Sequence, residues 1–224
     1  MSKATLYYVY DPMCSWCWGY HNTWEKLQAL LNEQFAETLE VQSVLGGLAP
    51  DSNEPMPDDL KAMLQKTWGR IHEQLGTEFN FDFWTKCQPK RSTYPACRAV
   101  LVAREQGAEK SMYHAVQRAY YLNAQNPSEL TTLTALAGQI GLDEQDFENR
   151  IQSDAINQQL MDEISLARQL PIQGFPSLVL NVNGQNHAIK LHYSQAEKTL
   201  HHIQTILTNQ KCLTWLKTTL LKQK

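Results

Sequence analysis

Cys14-Ser15-Trp16-Cys17 carries two thiols separated by two residues. At that spacing one thiol can reach the other within a single helical turn and close a disulfide. The segment follows an aromatic and β-branched run, Thr5 to Tyr10, and precedes apolar residues at helical spacing, so it sits at a strand-to-helix junction. A thiol at the start of a helix meets unpaired backbone N–H groups and the positive end of the helix dipole, and both favour a thiolate. Cysteines in such settings have pKa values lowered to roughly 3.5–7.5 from about 8.5. The chemistry expected is thiol–disulfide exchange. Cys14, the outer thiol, exchanges with a substrate sulfur, and Cys17, tucked into the helix, resolves the mixed disulfide.

A C-x-x-C can also be half of a structural zinc site, which needs a second pair at suitable spacing. Cys87 and Cys97 have nine residues between them, and no His-x₃₋₅-His run accompanies Cys14 and Cys17. His21, four residues after Cys17, could complete only a partial set. His72, His114, His187, His192, His201 and His202 lie far along the chain from Cys14 and Cys17 and read as ordinary surface or core residues, so no metal site is expected. Cys97, among Ala96, Val100 and Leu101, reads either as a small core residue or as a second redox thiol paired with Cys87. Cys212 reads as an incidental thiol. Trp16, Trp18, Trp24, Trp68 and Trp84 either line an apolar groove or pack in the core.

The elements that must hold Cys14 and Cys17 follow from hydrophobic spacing. Tyr20, Trp24, Leu27 and Leu31 share one helical face, and Leu39 to Leu45, closed by Gly46-Gly47, reads as a second strand. Strand, helix and strand over so short a span predict a βαβ unit with parallel strands. After the polar loop from Pro50 to Pro57, the pattern is helical for about a hundred residues. Predicted helices cover 58–75, 95–106, 110–123, 129–140 and 144–169, with Asp143 as an N-cap, and Phe81, Phe83 and Trp84 lie in an irregular link. Residues 177–182, the turn Asn183-Gly184 and residues 185–191 predict a hairpin. Ser194-Gln195-Ala196-Glu197 matches a capping box opening a helix, and residues 212–221 suggest a further short one. The expected fold is α/β: a thioredoxin-like fold (βαβ + ββα) with an inserted all-helical domain. Residues 1–56 and 170–224 would form the thioredoxin-like domain, and residues 57–169 the helical insertion.

Composition narrows the classes further. The 224 residues carry 20 Lys plus Arg against 23 Asp plus Glu, a net charge of −3. A pI near 6.2 gives no basic field for nucleic acid. No stretch approaches the ~18–20 apolar residues that would span a bilayer. No signal peptide is visible at the start, so a cytoplasmic location is expected, or a periplasmic one if the chain is a processed form. Five cysteines leave at least one thiol unpaired within the chain. No nucleic acid and no membrane is expected as a partner, and the sequence assigns no oligomeric state.

The stretch Asp11-Pro12-Met13-Cys14-Ser15-Trp16-Cys17-Trp18-Gly19 resembles the active-site segment of DsbA-like thioredoxin-fold proteins. Within that branch the chain is most similar to the cytoplasmic FrnE-like predicted protein disulfide isomerases. The resemblance covers essentially the whole chain, including Gly174-Phe175-Pro176-Ser177 before the last hairpin and Tyr94-Pro95-Ala96-Cys97 in the insertion. It implies a disulfide reductase or isomerase with Cys14 and Cys17 as catalytic residues. It also implies a cis Pro176 facing them, and substrate contacts from Phe175, Pro176, Ser15 and Trp16. Partners would be protein or small-molecule disulfides and thiols. No cofactor is implied, although glutathione could enter as reductant or substrate. The strongly oxidising relatives place a histidine in the spacer, whereas Ser15-Trp16 offers no cation, so a more reducing couple is expected. Two alternatives stand beside this one. A glutathione-dependent isomerase or transferase of the 2-hydroxychromene-2-carboxylate isomerase or kappa-class type would carry serine at the outer position. A non-catalytic peptide- or zinc-binding module would not cycle its thiols.

Overall fold

β-branched and aromatic residues on alternating sides build the first strand, β1 (Ala4–Tyr10), and the alternation decides what each side chain meets. Leu6, Tyr8 and Tyr10 enter the larger apolar core, while Val9 enters a smaller one on the opposite face with Val44, Ala167, Leu170 and Val179. The structure is a computed structural model that describes residues 3–221, with side chains through residue 209. Helix α1 (Ser15–Phe35) buries Tyr20, Trp24, Leu27 and Leu31 along its inner face, as their spacing predicts. The Trp24 indole stacks on Tyr8 with ring centroids 4.1 Å apart, which fastens α1 to β1. Each such buried apolar side chain contributes roughly 1.5–3 kcal/mol.

Strand β2 (Leu39–Leu45) pairs with β1 in parallel, in the register Val9 to Val44. The chain then leaves the sheet for seven helices: α2 (Asp58–Leu75), α3 (Phe83–Lys86), α4 (Tyr94–Glu105), α5 (Glu109–Tyr121), α6 (Leu130–Gln139), α7 (Glu144–Ile151) and α8 (Asp154–Gln169). It returns through β3 (Ser177–Val182), antiparallel to β1, and β4 (Gln185–Ile189), antiparallel to β3. The sheet order is β2-β1-β3-β4. Asn183 and Gly184 have φ values of 52° and 79°, the left-handed pair that a two-residue hairpin requires. Helix α9 (Ala196–Leu221) follows and packs against α1.

Three expectations are corrected. The helix predicted over 144–169 is two helices, because the Ser153 hydroxyl accepts from the Ile156 N–H and caps a new one. The break lets α8 lay Ala167 on the sheet beside Val9 and Val44 while still touching α4. The link at Phe81–Trp84 contains the short helix α3. The last segment is one continuous helix from Ala196, so no separate element starts at 212, and Gln195 rather than Ser194 precedes it.

Candidate active site

The β1–α1 loop, Asp11-Pro12-Met13, delivers Cys14 to the N-cap of α1 in an extended conformation (φ −79°, ψ 119°). The loop is held by one buried carboxylate. Asp11, fully buried, accepts hydrogen bonds from the Met13 N–H at 2.8 Å, the Leu48 N–H at 2.7 Å and the Thr93 hydroxyl at 2.6 Å. The Cys97 thiol lies 3.6 Å from the same carboxylate. Asp11 thus ties the loop to the segment after β2 and to the start of α4. Burial pushes its pKa up, and the Thr93, Leu48 and Met13 donors oppose that shift. Nothing in the local sequence reveals these contacts, since Leu48 and Thr93 lie 37 and 82 residues away.

Both thiols of the pair are free. Cys14 is 7% exposed and its thiol donates to the Phe175 carbonyl at 3.4 Å. Cys17 is fully buried on the inner face of α1. Burial pushes the Cys17 thiol well above its ordinary pKa, and the hydrogen bond and charge of Cys14 push it further. One thiol therefore lies at a rim and the other behind it.

The remaining predicted residues surround Cys14. The Phe175–Pro176 peptide bond is cis, as the resemblance implied. The Phe175 ring lies over Gly46, where any Cβ would stand 2.0 Å from it, so only glycine admits the ring there. Ser15 is buried, and its hydroxyl accepts from the Trp68 indole N–H at 3.0 Å. Ser15 thus points toward the helical layer, which the spacer position alone does not disclose. The Trp16 ring meets Tyr193 edge-on at 5.2 Å, and the Arg70 guanidinium stands 5.3 Å from its centroid. The spacer itself offers no cation, but α2 brings one to it.

Cys14, Ser15, Trp16 and Phe175 line one cleft of about 380 Å³. Its far wall is Met56, Met63 and Leu64, and three cations, Arg70, Lys90 and Arg91, border it. Lys90 is paired with Glu129 at 2.8 Å. An apolar trough rimmed by cations suits an extended, partly anionic ligand. Trp68 and Trp24 are core residues, whereas Trp16 faces the cleft and Trp18 stacks on Tyr121 at 5.6 Å.

Cys97 is buried, with its thiol directed at Asp11, while the Cys87 thiol donates to the Ala124 carbonyl at 3.0 Å. Both are free thiols and each has its own partner, which fits the core role for Cys97. The side chain of Cys212 lies outside the described residues. Among the described residues, no helix is long and apolar enough to cross a membrane.

A family model described as a DSBA-like thioredoxin domain matches residues 5–202. A candidate protein disulfide isomerase from Nitrosomonas europaea is 29% identical, with a TM-score of 0.78 over 93% of this chain and 99% of that one. The cytosolic disulfide reductase DsbM from Pseudomonas aeruginosa is 24% identical, with a TM-score of 0.70 over 91% of this chain and 98% of that one. DsbM has also been solved with GSH. The ClpXP adapter protein SpxH of Halalkalibacterium halodurans is 24% identical over 84% of this chain, which spans 63% of that relative's length.

Proposed function

The chain belongs to the DSBA-like thioredoxin domain family, and from that premise we propose that it is a disulfide reductase or isomerase cycling Cys14 and Cys17 between dithiol and disulfide. The observation that carries this reading is the asymmetry of the pair: Cys14 stands at a helix N-cap on the cleft, and Cys17 is sealed behind it. The Cys14 thiolate attacks one sulfur of a substrate disulfide. A Cys14–substrate disulfide forms, and the displaced substrate sulfur leaves as a thiolate and takes up a proton. The Cys17 thiolate then attacks Cys14 Sγ, which releases the second substrate thiol and leaves a Cys14–Cys17 disulfide. Two electrons have passed from the protein dithiol to the substrate. Two equivalents of a small thiol such as glutathione restore the dithiol and leave as their own disulfide. Isomerisation uses the first half alone, with a second substrate thiol displacing Cys14.

The electrostatics of the pair set the order of events. Burial above all holds the Cys17 thiol in its protonated form, and the neighbouring Cys14 adds to it. Once Cys14 is bonded to substrate, the Cys14 contribution is gone while burial remains, so Cys17 ionises more readily than in the dithiol. The resolving thiol is thereby armed by the formation of the species it must resolve. Phe175 is the backbone neighbour of Cys14, and its exposed edge would pair with an extended substrate. Arg70 and Arg91 give the cleft the charge to hold the carboxylates of a peptide such as glutathione, with Lys90 already paired to Glu129. The direction proposed is reductive and the location proposed is the cytoplasm. Support comes from the relatives named as a cytosolic reductase and an isomerase.

Trapping tests the reading. The Cys17→Ser variant, incubated with glutathione disulfide and separately with a model protein disulfide, is expected to accumulate a mixed disulfide. Intact-mass and peptide mass spectrometry place the adduct on Cys14. An unmodified variant, together with a wild type that reduces neither disulfide, overturns the reading.

A further inference from the structure

One flank of α1 carries a second cluster, one turn beyond the thiol pair. His21 and Glu25, four residues apart, share that flank, and α5 brings His114 against them from 93 positions along the chain. One ligand atom from each of the three lies within 4.8 Å of the other two, and all three side chains are half-buried. The two imidazole rings meet edge-on with centroids 4.6 Å apart. His21 Nδ1 is buried without a hydrogen-bond partner. His114 Nε2 lies 3.6 Å from Glu25 Oε1, and Lys110 Nζ sits on the same oxygen at 2.9 Å.

We propose that His21, Glu25 and His114 form a binding site for a zinc-class divalent cation that clamps α1 to α5. Two imidazoles and one carboxylate are a donor set for such an ion, with water completing a tetrahedron. Ligand–metal bonds of ~2.0–2.2 Å put tetrahedral donors roughly 3.3 Å apart. Burial holds both imidazoles below their ordinary pKa, His114 at about 4, so the neutral, ligating form is the one present at neutral pH. Lys110 shows that Glu25 already attracts a cation at this point, and a divalent ion would displace it. The site borders the active-site machinery. His21 lies 5.5 Å from the Trp18 ring, Trp18 stacks on Tyr121, and the Tyr121 hydroxyl donates to the Met13 carbonyl next to Cys14. A metal here would stiffen the seam that holds the N-terminus of α1.

Spacing alone does not reveal this site, because His114 is remote in sequence and Glu25 is an ordinary helix acid. His21 is grouped with Glu25 and His114, while Cys17, with which a partial zinc set was conceivable, faces the core.

The test uses the full chain with Cys14 and Cys17 both replaced by Ser, which removes the closely spaced thiol pair as a competitor. Calorimetric titration with Zn²⁺ is expected to show one equivalent bound, and the Co²⁺ form to show d–d bands without thiolate charge-transfer absorption. His21→Ala and His114→Ala, with far-UV circular dichroism matching the parent, should each weaken Zn²⁺ at least about tenfold. Lys110→Met should tighten it, because the competing cation is gone. Where an alanine variant fails to fold, ¹⁵N-resolved imidazole spectra of the parent replace it. Zn²⁺ must then shift His21 and His114 together. Failure to bind stoichiometrically, thiolate charge-transfer from Cys87 or Cys97, or unchanged affinity in the folded variants overturns the proposal.

Discussion

Cys14→Ser is expected to abolish disulfide reduction, lowering turnover by roughly 10³-fold or more, the scale on which loss of a covalent nucleophile is felt. Serine is nearly isosteric, and its hydroxyl can keep the hydrogen bond that the thiol donates to the Phe175 carbonyl. Stability should therefore stay within about 1 kcal/mol of wild type. Coupled turnover of a model disulfide and thermal unfolding of the same sample check both halves. Substantial remaining activity would assign the exchange to another thiol, with Cys87 the candidate because, among the described residues, it is the free cysteine left partly exposed. The effect differs in kind from that of Cys17→Ser. That variant keeps the attacking sulfur and loses only the step that releases the substrate.

The largest expected loss of stability comes from Trp68→Ala. Trp68 on α2 is fully buried, and its indole meets Phe79 at 5.0 Å, Trp84 at 4.8 Å, Tyr120 at 5.5 Å and Tyr121 at 5.4 Å. Truncation opens a cavity where these rings and those of Phe81 and Phe83 converge, and removes the hydrogen bond to Ser15. Such a change costs about 3–5 kcal/mol, or on the order of 10 °C in Tm for a chain of this length. Trp68→Phe should restore part of that, since its ring refills much of the cavity while leaving the void of the missing pyrrole ring and losing the Nε1–Ser15 bond. A Phe variant as unstable as the Ala variant would mean that the bond to Ser15, rather than the packing, holds the spacer in place. Paired melts of the two variants separate packing from hydrogen bonding.

The sequence carries the local parts of this architecture and omits the remote ones. The C-x-x-C at a strand-to-helix junction, the face Tyr20-Trp24-Leu27-Leu31 and the Asn183-Gly184 turn are legible because each depends on neighbours in the chain. The break between α7 and α8 is hidden because Phe147, Ile151, Ile156 and Leu160 all point inward at near-helical spacing on both sides of it. Only the capping role of Ser153 marks it. Asp11 is the clearest omission. As a loop residue before a proline it looks like a turn former, yet it is the buried anchor of the loop that carries Cys14, through partners contributed by distant segments. Arg70 beside Trp16 is hidden for the same reason: a spacer without its own cation gains one from a helix fifty residues on. The resemblance to DsbA-like proteins did what local spacing could not. It singled out Pro176, whose peptide bond is cis next to the residue that accepts the Cys14 thiol.

Redox titration of the pair tests the central claim most directly. The protein is equilibrated in glutathione buffers of graded ratio, quenched in acid, alkylated, and mapped by mass at the peptide carrying both cysteines. Cys14 and Cys17 should convert together as one two-electron couple, with a midpoint well below the roughly −120 mV of the strong periplasmic oxidant and nearer about −180 to −270 mV. Cys14 and Cys17 remaining a dithiol at every ratio, or a disulfide that joins either of them to Cys87 or Cys97 instead, would contradict the account.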